Sequence, residues 1–247
     1  MSEQDEREYV GESALYQINH EMTVCTACSL HSNRTRTGVH TAIGNINAKL
    51  VVVMEAPTQK ALLNEDILSD TNGDMLVSLI GRAMPITPEL RAIQRIPNDT
   101  VYFDALKDYI LDLVFFTSFV GCPLFRDAAL NNAQVKACST FLNRQLYAID
   151  PTVIVAMGGP GSNKLFSQKG KSLVNRGKVK DFCVESPFSS AQVRYTGITT
   201  VTLTAIAMSG DFDSDVLDSG KGLANDVISD FKKAFDILEQ VEVMYGK

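Results

Sequence analysis

The sequence predicts an α/β fold in which helices cover both faces of a mostly parallel sheet. Continuous apolar, β-branched runs such as Leu50–Met54 indicate strands that are buried on both sides. These runs alternate with stretches whose apolar residues have helical spacing. The composition is that of a globular protein, with 45% hydrophobic and 21% charged residues among 247. We therefore expect a three-layer α/β/α domain with a central, mostly parallel, four-stranded sheet over residues 1–247.

Each element has its own sequence signal. The four strands are predicted at Leu50–Met54, Leu111–Val120, Thr152–Met157 and Thr199–Ala205. Helices are predicted at Met75–Ile80, from Thr87-Pro88 onward, at Gln134–Ile149 and at Leu223–Tyr245. Residues 1–20 are expected to form a loose arm or a short helix. Ligands bind beyond the carboxyl ends of parallel strands, so Glu55–Pro57, Thr117-Ser118 and Gly158–Gly161 are expected near any site.

The charge pattern limits the possible locations and partners. No apolar run reaches the roughly 18 residues that a membrane helix needs, and the polar, acidic start at Met1–Glu12 is not a signal peptide, so we expect a cytoplasmic protein. A net charge of −6 argues against a dedicated nucleic-acid binder but leaves room for a local basic face. One basic stretch without acidic residues is either such a face or a solvated loop; it contains Lys169, Lys171, Arg176, Lys178 and Lys180.

Four cysteines have a spacing that suggests a metal site. Cys25 and Cys28 form a C-x-x-C pair, and Cys122 and Cys138 follow much later, sixteen positions apart. Thiols in the cytosol stay reduced, and four thiolates suit either tetrahedral zinc or a [4Fe–4S] cluster. The second close pair that zinc sites usually have is missing, but spacing alone leaves cluster, zinc and unliganded thiols open. The fifth, Cys183, is expected to be a core or surface thiol.

The order of several further motifs resembles the iron–sulfur (family 4) uracil-DNA glycosylases. The similarity runs from about Cys25 to the C-terminal helix. Besides the cysteines, it rests on Arg36-Thr37, Gly44–Leu50, Glu55-Ala56-Pro57, Thr117–Cys122, Ile149–Gly158 and Arg176–Val179.

The resemblance implies a function, a cofactor and a partner. Such enzymes flip a base out of DNA and hydrolyse its glycosidic bond. A structural [4Fe–4S] cluster would be held by Cys25, Cys28, Cys122 and Cys138. Glu55 would orient the attacking water or stabilise the sugar cation. The residues that would bind the substrate are Ala56, Pro57, Thr58, Leu68, Ser118 and Ile206. Ser162, Lys164, Arg176 and Lys178 would contact DNA. We expect a monomer, with replication or repair proteins as possible partners.

The pocket departs from the family pattern at three places. Ser118 stands where the family has an asparagine that reads the uracil edge, and Leu68 is the nearest match to a stacking aromatic. Ile206 lies in a segment where the family has a histidine, while His20, His31 and His40 are all near the N-terminus. A surface role for His40 is favoured over a role at the pocket.

Two interpretations follow. Either the pocket is rebuilt for another base, such as a modified pyrimidine, or catalysis is lost and a DNA-binding, replication-accessory or base-modification protein remains. A phosphate loop at Gly158–Lys164 is disfavoured because it lacks the G-K-[ST] ending.

Overall fold

The structure is a computed structural model, which describes residues 3–33, 42–124, 128–186 and 192–245. The Arg36-Thr37 motif and His40 lie outside the described residues. Among the described helices, none is long and apolar enough to cross a bilayer.

A mixed six-stranded sheet forms the centre of the molecule. Its strands are β1 (Ile43–Gly44), β2 (Leu50–Met54), β3 (Val114–Ser118), β4 (Val153–Met157), β5 (Val179–Glu185) and β6 (Gln192–Thr200). They lie in the order β1-β3-β2-β4-β6-β5. The inner four are parallel, while β1 and β5 are antiparallel edge strands. The predicted four-stranded parallel sheet is therefore the inner part of a larger, mixed one.

The helices lie between and around these strands. In chain order they are α1 (Glu3–Val24), α2 (Gln59–Leu63), α3 (Thr71–Ala83), α4 (Pro88–Ile93), α5 (Asp99–Leu113), α6 (Asn132–Ile149), α7 (Gly159–Leu165), α8 (Ser172–Asn175), α9 (Leu203–Ser209), α10 (Ser214–Ser219) and α11 (Gly222–Tyr245). A 3₁₀ helix spans Ser29–Asn33. Side-chain oxygens cap many of the N-termini, as Asn131 does for α6 in a capping box with Gln134.

Helices cover both faces of the sheet, as the three-layer prediction requires. Alternate residues of each inner strand point to opposite sides. Val52 and Val155 belong to one apolar core, which α3, α5, α9 and α11 complete. Val51 and Ile154 belong to the other, which α6 and residues around α7 and β5 complete.

The first and third predicted strands are confirmed, and the other two are corrected. The second begins at Val114, because α5 continues through Leu113. The fourth lies earlier than predicted, at Gln192–Thr200. Residues Leu203–Ser209 are helical instead, because the Thr202 side chain accepts a hydrogen bond from the Ala205 amide and caps α9.

The N-terminal segment is a helix of 22 residues, Glu3–Val24, and so neither a loose arm nor a short helix. Ile18 and Met22 of α1 are buried together beside Phe141 of α6. Both terminal nitrogens of the Arg144 guanidinium on α6 donate hydrogen bonds to the Glu21 carboxylate, Nη2 to Oε1 at 3.0 Å. Apolar burial and this ion pair together hold α1 on the outside of α6.

Candidate functional site

A cleft of about 620 Å³ opens at the carboxyl edge of the parallel strands. This is where open α/β sheets bind ligands. The ends of β2, β4 and β6 each contribute to its wall. The lining residues include Met54–Gln59, Asn72, Pro123, Leu124, Ala128, Ala129, Met157, Gly159, Ser172, Thr202–Ala205 and Met208.

Glu55 is the carboxylate in this cleft, directly after β2, and it is half-buried. Its side chain lies against Gly158 after β4, where an added Cβ would stand 2.6 Å from Oε1. Gly158 also has φ +97°, a conformation that favours glycine. Removal from water disfavours the charged form and raises the pKa of the Glu55 carboxyl.

Hydrogen bonds fix the loop after Glu55 to the start of α3. The Thr58 hydroxyl accepts from the Ala61 amide at 3.1 Å and donates to the Asp70 carboxylate at 2.5 Å. Asp70 in turn accepts from the Gly73 amide at 2.9 Å, which caps α3. Thr58 caps α2, Asp70 caps α3, and the hydrogen bond between their side chains fixes Glu55–Thr58 relative to the first turn of α3.

Asn72, in that first turn, lines the cleft with Glu55. The neighbouring Gly73 packs so closely on Leu68 that an added Cβ would be 2.2 Å from the Leu68 carbonyl oxygen. This contact leaves the backbone little freedom where Asn72 enters the cleft. Asn72 brings an amide with both a donor and an acceptor to the wall.

Three predicted substrate-binding residues do line the cleft, namely Ala56, Pro57 and Thr58. Leu68 and Ile206 do not, because both side chains are fully buried in the core under α3 and α9. Ser118 is also buried, and its hydroxyl donates to the Val120 carbonyl at 2.8 Å. The hydroxyl of Ser118 is thus used within its own loop.

The residues predicted to contact DNA have different environments. Ser162 is fully buried, and its hydroxyl donates to the carbonyls of Gly158 and Gly159, so it shapes the turn into α7. Lys178 lies near the Asn175 amide oxygen at 3.4 Å. Lys164 is exposed on α7.

Arg176 is held by the C-terminal helix. Its guanidinium is 2.9 Å from the Asp226 carboxylate and 3.5 Å from Asp230. Asp230 is buried and accepts from the Thr200 hydroxyl at 2.8 Å. Burial raises the pKa of the Asp230 carboxyl, against the opposing effects of Thr200 and Arg176. Arg176 thus joins α11 to the sheet.

The four spaced cysteines surround one small cavity. Cys25 and Cys28 follow α1, Cys122 lies after β3, and Cys138 lies on α6. The rest of the lining is largely apolar and includes Met22, Ala27, Ala137 and Phe141. The backbone amide of Ala27 donates to Cys25 Sγ at 3.5 Å. Four thiols in an apolar pocket, one of them accepting an amide hydrogen bond, form a donor set that fits an iron–sulfur cluster.

No three histidine, cysteine, aspartate or glutamate side chains of the described residues are grouped closely enough to hold one metal ion. In a [4Fe–4S] cluster each thiolate binds a different iron, so its four ligands stand further apart than those of a single ion. Cys183 lies elsewhere, exposed on β5.

Several cleft residues had no role in the sequence prediction. Four of them, Thr202, Leu203, Thr204 and Met208, follow β6. The sequence prediction had placed the end of this strand at Ala205 instead of Thr200. Asn72 lies four residues after Leu68, the nearest match to the stacking aromatic. Loops that follow parallel strands form the ligand site of such folds. With the end of β6 placed correctly, this rule would have identified the four residues that follow it.

The fold and the cleft define an α/β protein with a carboxylate site at the carboxyl edge of its sheet. Residues 41–206 match the family model described as the Uracil DNA glycosylase superfamily. The chain belongs to that superfamily.

Curated relatives with the name Type-4 uracil-DNA glycosylase are similar to most of the chain. The protein from Thermotoga maritima is 29% identical over 150 residues, or 61% of this chain. The protein from Sulfurisphaera tokodaii is 26% identical over 168 residues, or 68% of this chain. The chain spans 65% and 64% of the length of these two relatives.

Proposed function

We propose that the protein is a DNA glycosylase that hydrolyses the N-glycosidic bond of a flipped uracil or modified pyrimidine. The half-buried carboxylate of Glu55 in the cleft carries the proposal. Membership in the superfamily and the relatives named uracil-DNA glycosylase support it.

In the proposed reaction, a water oxygen bonds to C1′ of the deoxyribose while the bond from C1′ to the base nitrogen breaks. The base leaves with the bonding electron pair, and the proton that the water loses ends on the released base, directly or through solvent. The Glu55 carboxylate orients the water and stabilises the positive charge that develops on the sugar. The partly desolvated setting of Glu55 strengthens this electrostatic effect.

Asn72 is proposed to read the base. A flipped base is recognised through hydrogen bonds to its Watson–Crick edge. Ser118 donates to Val120 within its own loop, whereas the Asn72 amide lines the cleft beside Glu55. A carboxamide matches the alternating acceptor and donor groups of a uracil-like edge.

The cysteine cavity is proposed to hold a structural [4Fe–4S] cluster with Cys25, Cys28, Cys122 and Cys138 as ligands. The cavity joins the end of α1, the loop after β3 and α6. A cluster there would tie these segments together beside the cleft, because the loop of Cys122 continues into Pro123 and Leu124 of the cleft wall.

The test uses duplexes that carry uracil, hypoxanthine or 5-hydroxymethyluracil, with abasic-site formation as the readout. We expect turnover on a pyrimidine substrate, and a loss of about 10²- to 10⁴-fold for Glu55→Gln. Glu89→Gln, an exposed change of equal charge on α4, should keep full activity.

Binding and stability complete this test. Glu55→Gln should still bind DNA. It should also unfold at no lower temperature than the unchanged protein, because a buried carboxyl with a raised pKa destabilises the fold once it is ionised at neutral pH. Absence of an abasic site on every duplex would contradict the proposed activity.

A further inference from the structure

A groove lined by three lysines adjoins the cleft of Glu55. Its walls carry Lys136 of α6, Lys164 of α7 and Lys169, together with the amide side chains of Asn132, Asn163 and Gln168. This lysine groove has a volume of about 450 Å³. Within the described part of the chain, no carboxylate lines it.

The three ammonium groups are available for a ligand. Lys136, Lys164 and Lys169 are exposed, and none forms an ion pair with a carboxylate of the described residues. Arg176, from the same basic stretch as Lys169, is instead bound to Asp226 and Asp230. Arg176 therefore stabilises the fold, whereas the three lysines face solvent.

The lysine groove is positively charged, whereas the whole protein carries a negative net charge. The chain has a net charge of −6, so three close lysines without a lining acid are a local concentration of opposite sign. Like charges at such a place repel each other until an anion binds, and the field that they create attracts polyanions.

Hydrogen bonds hold the floor of the groove. The side-chain amide of Asn163 donates to the backbone carbonyl of Gly170 at 2.7 Å. The backbone amide of Gln168 donates to the backbone carbonyl of Asn163 at 2.9 Å. The Gln168 side chain donates to the Thr199 hydroxyl of β6 at 2.7 Å. The backbone that presents Lys164 and Lys169 is therefore anchored to the sheet.

Three chain segments connect the lysine groove to the cleft. Gly159 lines the cleft and Lys164 the groove, at two ends of α7. In the next segment Ser172 lines the cleft and Gly170 the groove. Ala129, in the loop before α6, lines the cleft, and Asn132, the first residue of α6, lines the groove. Five residues of helix cover about 7.5 Å. Measured along the axis of a duplex, where each nucleotide of one strand rises about 3.4 Å, this corresponds to about two nucleotides.

We propose that the lysine groove binds backbone phosphates of the strand that carries the flipped nucleotide, about two nucleotides away from it. This inference rests on the proposed function, since it presupposes a DNA substrate. It assigns the phosphate contacts to Lys136, Lys164 and Lys169, in place of the expected Ser162 and Arg176.

The first test compares two triple variants of equal charge. One is Lys136→Ala/Lys164→Ala/Lys169→Ala. The control is Arg95→Ala/Lys221→Ala/Lys232→Ala, whose three residues are exposed and line neither the groove nor the cleft. DNA affinity is measured by fluorescence anisotropy over a salt series.

We expect the slope of log affinity against log salt to become shallower by about two to three in the groove variant, and affinity to fall at least about tenfold, because each phosphate contact releases counterions. The control should change much less. Equal effects in the two variants would contradict the inference, since general charge would then account for both.

The second test leaves the protein unchanged and so does not depend on how a variant folds. Neutral methylphosphonate linkages are placed one by one along the lesion strand. We expect weaker binding when the neutral linkage lies about two nucleotides from the lesion, and no such penalty in the groove variant. A profile that is flat along the strand would contradict the inference.

The two proposals fail in different ways. If the unchanged protein neither binds nor cleaves DNA, the proposed function is wrong. If it binds and cleaves while the groove variant behaves like its control, only the role of the lysine groove is wrong.

Discussion

Glu55 combines burial with a position at the mouth of a cleft, and this has a consequence for pH dependence. Burial raises the pKa of its carboxyl above the ordinary value of 4.5. The proposed role requires the ionised form. Activity should therefore fall as pH falls through this raised pKa, so the acid limb of the kcat/KM profile should lie above the range of an exposed carboxyl.

The measurement is kcat/KM between about pH 4 and 8 on the preferred duplex. Glu55→Gln should remove the limb together with most of the activity, while Glu89→Gln should keep it. A limb at the ordinary carboxyl range in the unchanged protein would show that another group controls the profile.

Asn72 gives a second prediction at the scale of the residue. If its amide reads the base edge, Asn72→Ala should lower kcat/KM by about 10- to 100-fold, corresponding to about 1–3 kcal/mol for a bidentate contact. Asn72→Asp should change the preference among bases, because a carboxylate only accepts hydrogen bonds. Ser118→Ala is the control and should alter the preference little. Equal losses on all bases would argue against base reading.

The loops after β2 and before α3 form a unit at the scale of the element. Thr58→Val removes the hydroxyl that caps α2 and donates to Asp70. We expect a loss of about 1–2 kcal/mol in the free energy of unfolding. Thr58→Ser, which keeps the hydroxyl, should largely retain it.

Activity distinguishes a positioning role from a purely structural one. Because the bridge also holds Glu55 and Asn72 relative to one another, Thr58→Val should lower kcat more than DNA affinity. A stability loss without any change in kcat would mean that the bridge only supports the fold.

The elements that sequence reasoning identified are those whose signal is local. Leu50–Met54 is buried on both faces, so its sequence is a continuous apolar run. The first half of β6 was missed because it pairs only with the edge strand β5, and because Gln192 and Arg194 are exposed. Its sequence is therefore not a continuous apolar run. The predicted fourth strand ran too far because residues 201–205 alternate apolar side chains with threonines, a pattern that also suits a strand, whereas the Thr202 cap begins α9 there.

In the candidate site, too, the sequence predicted the residues that have a local signal and missed those whose position depends on tertiary contacts. Glu55–Thr58 follows a strand that was correctly identified, so its place in the cleft was predictable. Asn72 was not, because its direction depends on the Thr58–Asp70 bridge and on the close contact of Gly73 with Leu68. The side chains of Leu68 and Ile206 lie in the core and not in the cleft, since alignment to a motif does not show which way a side chain points.

At the scale of the whole molecule, the cysteine cavity connects the N-terminal helix to the body. The proposed cluster predicts a brown protein after anaerobic purification, with about four irons per chain. Cys138→Ser should lose iron and the broad visible absorption band, and should unfold at a lower temperature. Cys183→Ser, on β5 and outside the cavity, should keep all three properties. Zinc without iron in the unchanged protein would contradict the proposal.

The two faces of the sheet are completed at different times during synthesis. Among the described residues, the helices that pack on the α6 face all precede β6 along the chain, so this side can close once residue 200 has left the ribosome. The opposite side waits for Ala224, Val227, Phe231 and Ala234 of α11, which are fully buried in its core. Until then, a nascent chain exposes an apolar sheet surface, and a premature stop before α11 should yield aggregates rather than a weakened enzyme.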